Sequence, residues 1–292
     1  MKNPNIKWIF LLILSVIWGS SFILIKKALL GLDPYQLGAL RTIITGVILL
    51  TWGFHHLKDI PKSKWKWLGI SGLLGSFIPA FFFAIAETEI DSAVASILNS
   101  LVPLNTILLG FAVFKIMSTK RQVIGVIIGF IGTAVLILKG SDLNPNQNYL
   151  YAGFVIASTL MYATNVNIIK RYLQDVKPLA IAAGNYVFIL IPAVIILLFT
   201  DFFTSERLNN PFMVSSLIYV AILSIFGTAL AKVVFNKLIQ ISTPVFASSV
   251  TYIMPIIALI WGVLDGESFS IIQGLAALLI LFGVYLSHKR KA

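Results

Sequence analysis

Apolar runs of about 20 residues recur ten times along this chain, each bounded by charge, Pro, Gly or Asn. They lie at roughly 6–30, 34–54, 65–87, 92–115, 121–139, 149–173, 178–200, 212–238, 244–264 and 269–288. A helix of that length just crosses the hydrocarbon core of a bilayer. The connections are short, so no extramembrane domain fits between the runs. Of 292 residues, 58% are hydrophobic and 11% charged, whereas a soluble domain carries about 25% charged residues. Too few charges exist to cover a water-facing surface, which excludes an ordinary soluble enzyme and a disordered chain. Zero cysteines exclude a disulfide scaffold. The expected fold class is an all-α integral membrane protein of ten transmembrane helices. Lys2 and Lys7 ahead of the first run imitate a signal peptide, but no small-residue cleavage site follows and nine further runs do. The segment reads as the first helix.

The net charge of +11 would suggest nucleic acid or another acidic partner in a soluble protein. Here its distribution follows the membrane. With the N-terminus inside, 16 of the 22 basic residues fall on the cytoplasmic side, among them Lys58, Lys62, Lys64, Lys66, Lys170 and Lys289. Four lie outside (Lys26, Lys27, Lys139 and Arg207), and Arg41 and Lys232 fall within spans. The bias predicts a multi-pass plasma-membrane protein with both termini cytoplasmic and no nucleic-acid partner.

Five spans per half invite a search for duplication. A shift of 152 lays Gly75 on Gly227, Ser76 on Thr228, Phe83 on Phe235, Ser96 on Ser248 and Pro103 on Pro255. A shift of 144 lays Lys26-Lys27 on Lys170-Arg171 and Pro34 on Pro178, and 151 lays Gln122 on Gln273 and Gly132 on Gly283. The expected domains are 1–140 and 148–292, two five-helix repeats. An odd number of spans forces the repeats to face opposite ways, an inverted architecture common in secondary transporters.

Several motifs then stand in a familiar order: Trp18-Gly19-Ser20-Ser21-Phe22 with Lys26, Leu40-Arg41, Pro103, Gly227-Thr228-Ala229-Leu230-Ala231 with Asn236, and Pro255. Gly266-Glu267-Ser268, Gln273 and Gly283-Val284-Tyr285-Leu286 complete the series. Over essentially its whole length the chain resembles the EamA-type branch of the drug/metabolite transporter superfamily. The resemblance implies a ten-helix inverted-repeat carrier, a central cavity between the halves, and small-metabolite substrates, often amino acids leaving the cell. Two positions depart from the pattern. Phe114-Lys115-Ile116-Met117-Ser118 stands where a Gly-Glu pair is common, and Lys232 where an aromatic residue is more usual.

Polar residues inside spans must face protein or water rather than lipid. Ser224, Thr228, Lys232, Asn236 and Gln240 recur every four residues in the eighth run, and the middle three share one face of an α-helix. Ser92, Ser96, Asn99, Pro103 and Thr106 form a stripe in the fourth, Ser248, Thr251, Tyr252 and Pro255 in the ninth, and Ser158, Tyr162 and Asn165 in the sixth. These stripes are expected to converge on one cavity, giving Lys232, Asn236, Thr228, Tyr252, Ser96, Asn99, Tyr162, Asn165 and Trp18 as substrate-binding candidates. Interhelical hydrogen bonding without a cavity is the plainer alternative.

Lys232 is the sharpest feature, because a lysine at the centre of a spanning helix costs about 2.5–3.5 kcal/mol. Its repeat partner is Ala80 and that of Asn236 is Ala84, so the scaffold manages without either group. The lysine is expected to pair with a substrate carboxylate or other anionic group, with Asn236 and Tyr252 as neighbours; snorkelling to the cytoplasmic interface is the alternative. Arg41 is expected to reach outward to Glu87, Glu89 or Asp91 in a gating or structural role, with substrate binding as the alternative. Pro103 and Pro255, with Pro79 and Pro192, are expected to kink their helices. Gly125 and Gly129 form a small-xxx-small pair, read first as bundle packing and second as a homodimer contact.

No Asp or Glu lies mid-span, His55 and His56 do not suggest metal geometry, and no P-loop, HExxH or nucleophile elbow occurs. No enzyme activity, cofactor or metal is expected. The sequence reads as a secondary transporter of a small polar metabolite, most simply an amino acid or relative being exported, by alternating access. A carrier of organic acids or nucleotide-linked anions, and a channel or receptor-like protein without alternating access, are the alternatives.

Overall fold

The computed structural model describes residues 6–114, 120–143, 147–268 and 270–288, and among them every regular element is helical. We label the segments α1 (Ile6–Ala28), α2 (Pro34–Leu57), α3 (Lys62–Ala86), α4 (Ser92–Val113), α5 (Lys120–Leu143), α6 (Tyr149–Tyr172), α7 (Pro178–Leu198), α8 (Met213–Ile241), α9 (Pro244–Leu264) and α10 (Ile271–His288). Eight are long and apolar enough to cross a membrane; α5 and α10 carry shorter apolar stretches, Val123–Leu138 and Ile271–Leu286. The Lys115–Ser118 departure and the basic residues Lys2 and Lys289–Lys291 lie outside the described residues. Large apolar side chains such as Ile191, Leu198, Val214 and Leu278 stay exposed, as lipid-facing positions should.

Four helices depart from regular geometry where they pass the middle of the bundle. α3 contains a π segment at Leu73–Phe77 and α8 another at Leu223–Leu230. α4 divides into Ser92–Asn99 and Val102–Phe114, and α9 into Pro244–Ser248, a 3₁₀ stretch Ser249–Tyr252, and Met254–Leu264. Pro103 and Pro255 sit at the second residue of the restarted helices, where a missing N–H removes no intrahelical bond. The expected kinks are therefore full breaks. Pro79 likewise begins a regular stretch behind the α3 π segment, and only Pro192 lies inside a continuous helix.

α5 packs along α10 at very close range. A Cβ on Gly283 would lie 2.6 Å from the Gly125 carbonyl and 2.6 Å from the Gly129 nitrogen. A Cβ on Gly132 would lie 3.0 Å from the Ile280 nitrogen and 3.1 Å from the Ala276 carbonyl. The Gly125–Gly129 pair is thus used within the bundle, where small residues let backbones meet.

Candidate functional site

A cavity opens among the irregular stretches, bordered by α1, α2, α3, α4, α6, α7, α8 and α9. The two π segments shape it. A π turn spreads the backbone, leaving side chains and carbonyls free to bond elsewhere. Thr228 donates its hydroxyl to the Leu223 carbonyl five residues back (3.1 Å) and accepts from Arg41 Nε (2.9 Å). The Gly227 carbonyl accepts from Trp18 Nε1 at 2.8 Å. Gly227 and Gly75 are points of close approach: a Cβ on Gly227 would lie 2.9 Å from Ser21 Oγ and one on Gly75 2.3 Å from Asn165 Nδ2.

Lys232 is 7% exposed. Its Nζ donates to Ser76 Oγ in the α3 π segment at 2.5 Å. With the Asn185 amide oriented so that its nitrogen faces the carbonyls of Ile181 and Leu68, the Asn185 oxygen accepts from Lys232 Nζ at 3.2 Å. Lys232 is not snorkelling. Thr228 and Lys232 are one turn apart, so the Arg41 and Lys232 side chains enter the cavity side by side. No carboxylate lines the cavity among the described residues, and neither cation forms an ion pair there. The hydroxyl that the α8 π turn presents holds Arg41 Nε at the cavity wall, while the guanidinium charge still acts on Glu87, one of the carboxylates it was expected to reach.

Of the other candidates, Trp18, Asn99, Tyr162, Asn165, Thr228 and Asn236 line the cavity. Trp18 packs edge-on to Phe235 (4.8 Å between centroids) and Tyr162 lies over Phe83. Asn236 Nδ2 donates to the Pro178 carbonyl at 3.2 Å. Asn99 is buried and its Oδ1 has no hydrogen-bond partner. Ser96 and Tyr252 lie off the lining. The 3₁₀ stretch in α9 turns 120° per residue, so Thr251, three after Ser248, takes the inward place that α-helical spacing gave to Tyr252. Ser76, Asn185 and Tyr186 belong to the site but lie on none of the four polar stripes; in the sequence Ser76 stands out only by falling on Thr228 at the shift of 152.

A charged latch lies at one end of the bundle. Lys26 Nζ meets Asp265 Oδ2 at 3.0 Å and Glu267 Oε1 at 2.9 Å, and Lys27 also pairs with Asp265. Glu267 accepts from Ser92 N (3.1 Å), Ser92 Oγ (2.7 Å) and Ala93 N (3.2 Å), capping the positive end of α4. Burial works to raise the Asp265 pKa, but the bonds from Lys27 and Lys26 overcome it and hold the group below the usual carboxylate range. At the opposite end Lys170, which the shift of 144 lays on Lys26, donates to the carbonyls of Ile239 (3.2 Å), Gln240 (3.4 Å) and Ser242 (2.7 Å) at the end of α8.

This arrangement can be compared with known proteins. The profile of the EamA-like transporter family matches residues 6–138 and again residues 150–288. The chain belongs to the EamA-like transporter family. The inner membrane transporter YedA of Escherichia coli (strain K12) is 26% identical over 278 residues, 94% of this chain and 87% of its own. The transporter YyaM of Bacillus subtilis (strain 168) is 26% identical over 97% of this chain and 93% of its own. Protein PecM of Dickeya dadantii (strain 3937) is 26% identical over 94% and 92%. A crystal structure at 18% identity superposes with a TM-score of 0.67, covering 98% of this chain and 97% of that one, so the fold is shared. This EamA-like chain is a multi-pass membrane transporter.

Proposed function

We propose that the chain is a secondary transporter that moves a small polar metabolite bearing an anionic group, an amino acid or a relative, by alternating access, with export as its working direction. The observation that carries this reading is a cavity lined by two cations and no acid. Lys232 and Arg41 rest on neutral hydroxyl and amide partners, which a carboxylate can replace with stronger charge-assisted bonds. The unpartnered Asn99 Oδ1 is an acceptor for a substrate ammonium, and Trp18, Phe83, Tyr162 and Phe235 supply an apolar wall. Ten crossings in two inverted repeats, 1–140 and 148–292, with both termini cytoplasmic, complete the proposal. Two family matches support the repeat, as do contacts that recur under its shifts. Gly75 meets Asn165 as Gly227 meets Ser21, and Gly132 meets Ile280 and Ala276 as Gly283 meets Gly129 and Gly125. The basic-residue bias supports the orientation.

A second reading, a carrier of organic anions without an ammonium, is favoured by the absence of any lining carboxylate. Counterflow in proteoliposomes tests both, using labelled α-amino acids and the matching 2-oxo acids. Unlabelled substrate inside should accelerate uptake of label, and Lys232→Met should lower that uptake at least about tenfold, the factor equivalent to about 1.4 kcal/mol. Preference for the 2-oxo acid selects the second reading. Uptake without trans-stimulation means a channel, and unchanged uptake of every accepted substrate in Lys232→Met removes the lysine from the site.

A further inference from the structure

Glu87 directly follows α3 at the latch end, is 7% exposed, and has both carboxylate oxygens buried without a hydrogen-bond partner. Three charged groups face it: Lys26 from α1, Arg41 from α2 and Glu267 from the α9–α10 connection. Both cations are engaged elsewhere. Lys26 holds Asp265 and Glu267, and Arg41 Nε holds Thr228. A carboxyl stripped of water and left without a partner keeps its proton, because burial penalises only the charged form. Burial accordingly pushes the Glu87 carboxyl well above the usual carboxylate range, and the Glu267 charge adds to it, outweighing the opposing pull of Arg41, Lys26 and the Lys26 backbone N–H. Packing does not demand an acid here, since the repeat-related position is the fully buried Ile239.

We propose that Glu87 is a proton-binding site: the latched bundle holds one proton on this carboxyl, taken from water at the latch end, and returns it when the latch opens. Hydronium protonates one carboxylate oxygen and leaves as water, with no other bond made or broken. Opening admits water and frees Lys26, so the group ionises. The latched form has the higher pKa. It therefore loses ground to the open form as pH rises above the open-state value, by at most tenfold per pH unit for one proton. Proton binding stands without the transport reading; only the consequence of opening, exposure of the cavity, rests on it.

The neutral isostere Glu87→Gln provides the test. Infrared spectra of the purified protein near neutral pH should contain a protonated-carboxyl band that Glu87→Gln removes. The chain has no cysteine, so Ser21→Cys on the cavity wall gives a single site for a membrane-impermeant maleimide applied at the latch end. Its labelling rate, divided by that of the Glu87→Gln counterpart at the same pH to cancel thiol ionisation, should rise with pH by up to tenfold per unit. An unchanged infrared spectrum, or labelling profiles that superimpose, overturns the proposal. If counterflow fails while the band and its loss are seen, the transport reading falls and the proton site stands.

Discussion

Arg41 and Thr228 belong to different spans, and the α8 π turn decides that they meet. The Thr228 hydroxyl gives its hydrogen to the Leu223 carbonyl and presents a lone pair to Arg41 Nε. Thr228→Val keeps the shape and removes both roles; Arg41→Gln removes the charge. Because the two groups share one bond, the double variant should be less destabilised than the sum of the singles. The coupling expected from membrane-protein cycles is about 0.6–1.7 kcal/mol, read as midpoints of thermal unfolding in detergent. Strict additivity would mean that the bond contributes nothing. The same reasoning applies less cleanly to Lys232, whose ammonium has two acceptors, Ser76 and Asn185. Removing either leaves the other, so the singles should be mild and Ser76→Ala with Asn185→Leu together more than additive.

At the scale of helices, the glycines separate contact from propensity. Gly283 faces backbone atoms of α5 that cannot move aside, so Gly283→Ala should destabilise by about 1–3 kcal/mol through overpacking. Gly153, near the start of α6, has nothing within 4 Å of a built Cβ. Gly153→Ala should be neutral or stabilise by up to about 1 kcal/mol. Calorimetry of both variants checks the contrast. The apolar runs were legible because helix length is fixed by bilayer thickness. Four-residue spacing placed Thr228, Lys232 and Asn236 correctly on the cavity, although a π segment interrupts their helix ahead of Lys232. The same logic failed for Tyr252, since nothing local distinguishes a 3₁₀ stretch from an α-helix in Ser249-Val250-Thr251-Tyr252. Glu87 stood out in the sequence only as a partner for Arg41, and its burial did not. Whether an acid at a helix end meets water or burial is settled by α1, α2 and the distant Glu267, and no local pattern encodes that.

Across the whole molecule the proposed repeats are alike in backbone and unlike in charge. The shift of 144 lays Lys26 on Lys170. Lys26 closes its end through two carboxylates, one of which also caps α4, whereas Lys170 closes the other through the carbonyls that end α8. The difference traces to single residues: at the shift of 152, Glu267 corresponds to Lys115. Charge-assisted bonds to a largely buried carboxylate contribute about 1.5–3 kcal/mol each, while a cation at a helix C-terminus contributes about 0.3–1 kcal/mol. The latch at the Glu267 end should therefore be the stronger, and the resting protein should open at the Lys170 end. With Ser21→Cys as reporter, Glu267→Gln should raise labelling from the Glu267 end by about tenfold or more, the factor equivalent to about 1.4 kcal/mol. Lys170→Met should change labelling from its own end only a few-fold. Equal responses at the two ends would show that the carboxylates do not bias the bundle, and that access is set by the π segments and broken helices the halves share.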